Sequence, residues 1–239
     1  MNKRSKRTTP VVVSILGRAG VGKSTFSREL HKRLSEPRSS LTTRLVAPNS
    51  RPPLRSVLRS PSAICAYIWA HQAIRPAAVK GWRDLLKMFT LLTARDIVYR
   101  SCARNDDVCI LDERGVYYSL FWMGLRSRKL SPGISHDLKQ FHWFKTSQPD
   151  ILVVCELDEE EREKRRHHRG SVSDVTIFKK SELKAFYDRN YAAIWPRLNS
   201  VAESVRADGH LRILRLDMSA PLEENMQRTM TQILECCQE

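Results

Sequence analysis

The segment Gly17-Arg18-Ala19-Gly20-Val21-Gly22-Lys23-Ser24-Thr25 constrains this chain more than any other stretch of it. It matches the spacing G-x-x-x-x-G-K-[ST] at Gly17, Gly22, Lys23 and Ser24. The context agrees with the motif. Val11 to Leu16 before it is a short β-branched apolar run that reads as a buried strand, and Lys23 to Leu34 after it reads as a helix. Glycines between a strand and a helix let the backbone N–H groups turn inward, and the helix N-terminus adds partial positive charge. Such a turn cradles phosphates. In it Lys23 would reach β- and γ-phosphates and the Ser24 hydroxyl would ligate Mg²⁺. All of residues 17–25 are therefore candidate nucleotide-binding residues.

Further apolar runs follow the same rhythm. Leu41 to Ala47, Val108 to Leu111, Ile151 to Leu157 and Leu211 to Leu216 read as strands. Ser62 to Ile74, Trp82 to Ala103, Glu159 to Arg169, Lys179 to Leu198 and Leu222 to Cys236 read as helices. Strands that are apolar throughout and separated by helices predict an α/β fold, a doubly wound parallel sheet with helices on both faces. At 239 residues the chain suits one such domain over 10–239, with a lid near 159–180 and a basic tail over 1–9.

The run Val108-Cys109-Ile110-Leu111-Asp112-Glu113-Arg114 ends a strand in acid and base. A carboxylate leaving the carboxyl end of a buried strand beside a phosphate loop can hold Mg²⁺ through water. Asp112 is the first candidate and Glu113 the second, and Arg114 would face the reacting phosphates or the acceptor. The charged run Glu159 to Gly170 carries Arg162, Arg165, Arg166 and Arg169 at helical spacing. Arginines that close over phosphates would stabilise the charge that spreads in a transfer transition state. The competing reading is a solvated helix laced by i,i+4 pairs such as Glu161 with Arg165.

The net charge is +15, and the excess is uneven. No acid lies between Glu36 and Asp84, whereas Arg38, Arg44, Arg51, Arg55, Arg59, Arg75, Lys80 and Arg83 do. Such a surface attracts phosphates, on a small molecule, a nucleic acid or an anionic membrane. The six cysteines include no Cys-x-x-Cys pair, and they read as reduced thiols of a cytoplasmic protein. No apolar stretch is long enough to span a bilayer.

With these motifs in place, the chain resembles the thymidylate kinase and deoxynucleoside kinase group of P-loop kinases over most of its length. Leu91 to Asp96 is similar to that group's segment before its third strand. Leu111 to Gly124 resembles its acid-Arg strand end followed by Ser-Leu-x-aromatic-x-Gly, which sets Glu113-Arg114 on the family's acid-Arg pair. Pro149 to Arg169 resembles its strand followed by an arginine lid, and Phe178 to Tyr191 its helix behind the lid. The resemblance implies ATP as donor, Mg²⁺, and a nucleoside or nucleoside monophosphate as acceptor. It gives catalytic roles to Lys23, Glu113, Arg114, Arg165 and Arg169, donor contacts to Arg162 and Arg166, and acceptor contacts to Arg51, Arg95, Arg114 and Tyr118. Ser24 and Asp112 would hold the metal.

The sequence departs from the group in three places. The second strand runs into Ala47-Pro48-Asn49-Ser50-Arg51 with no acid. The family's Asp-Arg stands reversed as Arg95-Asp96, and Arg51 to Pro61 has no counterpart. A sugar, a lipid head group or a polynucleotide 5′ end thus stays open as acceptor, as does an ATPase or nucleic-acid-binding module. A homodimer is equally open.

Overall fold

The computed structural model describes residues 10–18, 20–36, 41–46, 106–112, 115–118, 120–121, 148–168, 181–209 and 211–238. Its elements are β1 (Val11–Gly17), α1 (Lys23–Leu34), β2 (Thr43–Val46), β3 (Val108–Asp112), β4 (Ile151–Glu156), α2 (Glu159–His168), α3 (Ser181–Arg206), β5 (Arg212–Asp217) and α4 (Leu222–Gln238). The five strands form one all-parallel sheet in the order β2-β3-β1-β4-β5. This is the doubly wound α/β arrangement that the strand-helix rhythm predicts.

Successive side chains of a strand point to opposite faces, and both faces here are covered, which is why the strands read as unbroken apolar runs. On one face Val11, Val13 and Ile15 of β1, with Ile110 and Val153, pack against Phe26, Leu30 and Leu34 of α1 and Met226, Ile233 and Cys236 of α4. On the other face Leu16, Leu152 and Val154 pack against Val116, Tyr117, Leu120 and Phe121 and against Tyr191, Ile194, Leu198, Val201 and Val205 of α3. Asp150 joins the amino ends of three strands. Its carboxylate accepts from the Val12 amide at 2.7 Å, its amide donates to Val12 O, and its carbonyl accepts from Arg212.

Some boundaries move relative to the sequence reading. The helix expected to end at Leu198 runs on to Arg206, straight through Pro196. Leu198, Val201, Ala202 and Val205 continue its buried stripe, and that burial outweighs the one ladder bond a proline removes. The second strand is Thr43–Val46, shorter than the apolar run suggests. The tail 1–9, the Pro/Arg-rich loop 48–61, the expected helices Ser62 to Ile74 and Trp82 to Ala103, and lid residues 169–180 lie outside the described residues. Cys109, Cys155 and Cys236 are buried free thiols. No helix among the described residues is long and apolar enough to cross a membrane.

Candidate phosphate-binding site

The carboxyl ends of β3, β1 and β4 converge on the loop that follows β1. Register pairs Ile15 with Asp112 and Gly17 with Cys155, so the acid of β3 and the first loop glycine stand at one edge of the sheet. In open parallel sheets that edge, at the strands where connections diverge, is where ligands bind.

The loop geometry depends on its glycines. Gly20 and Gly22 have φ of 91° and 101°, a region that costs L-residues roughly 1–2 kcal/mol. Gly22 is the N-cap of α1 and makes no side-chain cap bond, so its left-handed turn is what leads the backbone into the helix. Gly17 is needed for another reason. A Cβ there would lie 2.7 Å from the Cys155 carbonyl oxygen and 3.1 Å from both Cys155 Cβ and Val21 Cγ2. We expect Gly17→Ala to lower stability by roughly 1–3 kcal/mol, because backbone stands on one side and a core valine on the other. Urea unfolding followed by circular dichroism checks this, and an unchanged midpoint would contradict it.

Lys23 begins α1 and is nearly buried, with its ammonium donating to the Arg18 carbonyl oxygen at 2.8 Å across the loop. Ser24 follows it on the helix. Asp112 is buried at the end of β3, and its Oδ2 accepts from the Ser27 hydroxyl at 2.8 Å. Ser27 Oγ also lies 3.4 Å from the Ser24 carbonyl oxygen, so one serine links the acid of β3 to the first turn of α1. A hydroxyl and a carboxylate are hard oxygen donors of the kind Mg²⁺ prefers, and the rest of its shell would be water and phosphate oxygens. Among the described residues no cluster of three His, Cys, Asp or Glu exists that could hold a metal by protein ligands alone. Cys155 lies near this centre, but burial pushes its thiol up to about 12 against the opposing pull of Lys23, so it stays protonated and is not a nucleophile.

After β4 the chain enters α2 through Asp158, whose Oδ1 accepts the Glu160 and Glu161 amides as an N-cap. The two described arginines of this helix differ. Arg162 is buried to 1% exposure, and its guanidinium donates to Glu159 and to Glu163 (2.7 Å). Arg165 is one-third exposed, donates to Glu161 at 3.0 Å, and lines a pocket beside the loop. The i,i+4 pairs expected of a charged helix are thus present, and Lys164 adds another with Glu160 at 2.8 Å.

That pocket, about 290 Å³, is walled by Gly22, Thr25 and Phe26, by Arg165, and by Met218, Ser219, Ala220 and Asn225 beyond β5. Asp217 shapes its far wall. The Ser219 hydroxyl donates to it at 2.7 Å and the Ser219 amide at 2.8 Å. These bonds, with Arg165 adding a smaller pull, hold the carboxyl below the usual carboxylate range. Asn225 is buried, with its amide donating to Asp217 O at 2.7 Å, and its Oδ1 has no hydrogen-bond partner among the described residues.

The structure therefore brings together Gly17, Arg18, Gly20, Val21, Gly22, Lys23, Ser24, Thr25, Asp112 and Arg165. Tyr118, on the helical segment after β3, packs against the hydrophobic cluster on the other face of the sheet. Ala19, Arg51, Arg95, Glu113 and Arg114 lie outside the described residues, as do Arg169 and the side chain of Arg166. Ser27, Asn225 and the turn 218–220 belong to the site and carry no motif. The available signal is a polar residue inside an apolar helical stripe, Ser27 among Phe26, Leu30 and Leu34, and Asn225 among Met226, Ile233 and Cys236.

No family model and no curated protein matches the chain. Among solved structures it is similar to deoxyadenosine kinase from M. mycoides. With bound dCTP the identity is 15%, over 94% of this chain and 99% of that one, at a TM-score of 0.48. With bound dATP the values are 16%, 93%, 98% and 0.49. With products dCMP and dCDP they are 15%, 94%, 99% and 0.47. The likeness is distant, and what the site can do follows from this chain's own residues: a glycine loop and helix N-terminus at the switch point of a parallel sheet, in an α/β P-loop architecture.

Proposed function

We propose that this protein is an ATP- and Mg²⁺-dependent phosphotransferase whose acceptor is a small molecule, a nucleoside or nucleoside monophosphate. The observation that carries the reading is the juxtaposition of Lys23, Ser24 and the Ser27-linked Asp112 at one sheet edge, with a base-sized pocket opening beside the same loop. Triphosphate in the loop would displace Lys23 from the Arg18 carbonyl and take up its ammonium. The purine would lie in the pocket between the Arg165 side and the 218–220 turn, with Asn225 at its wall.

When bound, Mg²⁺ supplies charge neutralisation and orients the donor phosphates. Ser24 and Asp112 would hold it. Arg165, with Arg162, Arg166 and Arg169 of the lid, would offset charge spread over the transferring group and exclude water that otherwise hydrolyses ATP. The buried ion pairs of Arg162 favour a supporting role for it within that set. Glu113 and Arg114 would orient the acceptor, and Arg51, Arg95 and Tyr118 would line its side. The free, buried thiols are consistent with a cytoplasmic protein.

Product analysis tests the reading. Incubation with ATP and Mg²⁺ across a panel of nucleosides and nucleoside monophosphates should yield ADP only when an acceptor is present, together with the phosphorylated acceptor. Free phosphate released at the same rate without any acceptor would identify a hydrolase and overturn the proposal.

A further inference from the structure

Arg18 lies within the phosphate loop, and its side chain reaches two other elements of the fold. Its guanidinium pairs with the carboxylate of Glu159, the first residue of α2, and lies 4.2 Å from the centroid of the Tyr191 ring on α3. Each of these partners is anchored in turn. Glu159 also accepts from the buried Arg162 one turn along α2. Tyr191 stacks on Trp195 at 5.1 Å and 20°, and meets the edge of Phe121 at 5.5 Å and 73°. Phe121 in turn meets Trp195 at 6.1 Å and 90°. Phe121 stands on the helical segment that follows β3, the strand carrying Asp112. One guanidinium thus joins the loop after β1, the helix after β4 and an aromatic cluster rooted behind β3.

A planar guanidinium suits this position because it can stack on a ring face and fork to a carboxylate at once, which an ammonium cannot. Meanwhile the Arg18 backbone carbonyl accepts the Lys23 ammonium. Side chain and main chain of the same residue therefore fix, respectively, the loop's outer wall and the resting place of its lysine.

We infer that Arg18 is a positioning residue: Tyr191 and Glu159 hold its side chain so that the phosphate loop is preformed and tied to the lid helix before nucleotide enters. The inference deepens the proposed function, since it rests on the loop being the nucleotide site. It adds a positioning role for the Arg18 side chain to the nucleotide contact expected of the loop. Preformed loops bind more tightly because less chain must be ordered on binding.

The test uses the full chain in two measurements. The first is amide hydrogen exchange over residues 17–23 without nucleotide. Arg18→Gln and Tyr191→Leu should each speed exchange there about tenfold, while Tyr191→Phe, which keeps the ring face, should match wild type. The second is titration with a fluorescent ATP analogue and Mg²⁺. Arg18→Gln and Tyr191→Leu should each weaken binding about tenfold, the double variant no more than either alone, and Tyr191→Phe less than twofold. Unchanged exchange in Arg18→Gln, or equal losses in Tyr191→Phe and Tyr191→Leu, would overturn the inference. So would fully additive losses, because residues acting through one contact do not add. If wild type itself fails to bind the analogue, the nucleotide reading fails. The exchange measurement then still decides the positioning role.

Discussion

Lys23→Ala is expected to remove phosphoryl transfer, lowering turnover on the order of a hundredfold to a thousandfold, about 3–4 kcal/mol of transition-state stabilisation. The reasoning starts from what Lys23 does without nucleotide. Its ammonium rests 2.8 Å from the Arg18 carbonyl, in a nearly buried position at the head of α1. That bond is intraloop and replaceable by water, so the fold should lose only ~1 kcal/mol. The charge is not replaceable. A triphosphate brings several negative charges to a glycine turn whose other donors are neutral amides, and no other lysine stands in the loop. The prediction therefore separates two quantities: ADP formation with an acceptor collapses, whereas the thermal midpoint shifts by a few degrees at most. Turnover of Lys23→Ala near wild type would refute the nucleotide reading of the loop.

The reason this much was legible in the sequence is that the loop is local. Its spacing, its glycines and its flanking apolar strand all lie within the span from Val11 to Leu34, and the backbone conformations it needs are those glycine alone tolerates. The strands were legible for a related reason. A parallel strand covered on both faces must be apolar at every position, so Val108 to Leu111 and Ile151 to Cys155 are recognisable without partners.

What was not legible is what arises between elements. Ser27 reads as an ordinary helix residue until β3 brings Asp112 to it from 85 residues away. Arg18 reads as one more cation at a phosphate site until α2 and α3 place Glu159 and Tyr191 on its two sides. The arginine run of α2 is similar: spacing puts Arg162 and Arg165 near one side, yet packing buries the first and leaves the second at the pocket. Helix ends were misjudged where local signals and burial disagreed. The helix expected to end at Leu198 has a buried stripe that continues through Val205, and this carries α3 on to Arg206. The acceptor-side candidates Arg51, Arg95, Glu113 and Arg114 lie outside the described residues.

Asp112→Asn is the second large effect expected, and it separates metal support from structure. Asparagine has nearly the same shape, and its side-chain oxygen can still accept the Ser27 hydroxyl that now bonds at 2.8 Å. Packing at the end of β3 should therefore persist, and the thermal midpoint should change little. What disappears is a buried negative charge at the one sheet edge where Ser24 also stands. Without that carboxylate, Ser24 and Asp112 could no longer together hold Mg²⁺, which would supply charge neutralisation at the donor phosphates. Turnover should fall by about a hundredfold, in line with losses of 10–100-fold when outer-shell metal partners are removed. The half-saturating Mg²⁺ concentration should rise with it, while affinity for a nucleotide measured without metal stays near wild type. Ser27→Ala is the structural counterpart: it keeps the carboxyl group of Asp112 and removes the hydroxyl that donates to it, costing about 1–3 kcal/mol of stability. Its activity loss should be small at temperatures where it remains folded. If Asp112→Asn and Ser27→Ala instead reduce stability equally and leave the Mg²⁺ dependence unchanged, Asp112 is a buried structural acid and the metal assignment at this strand end is wrong.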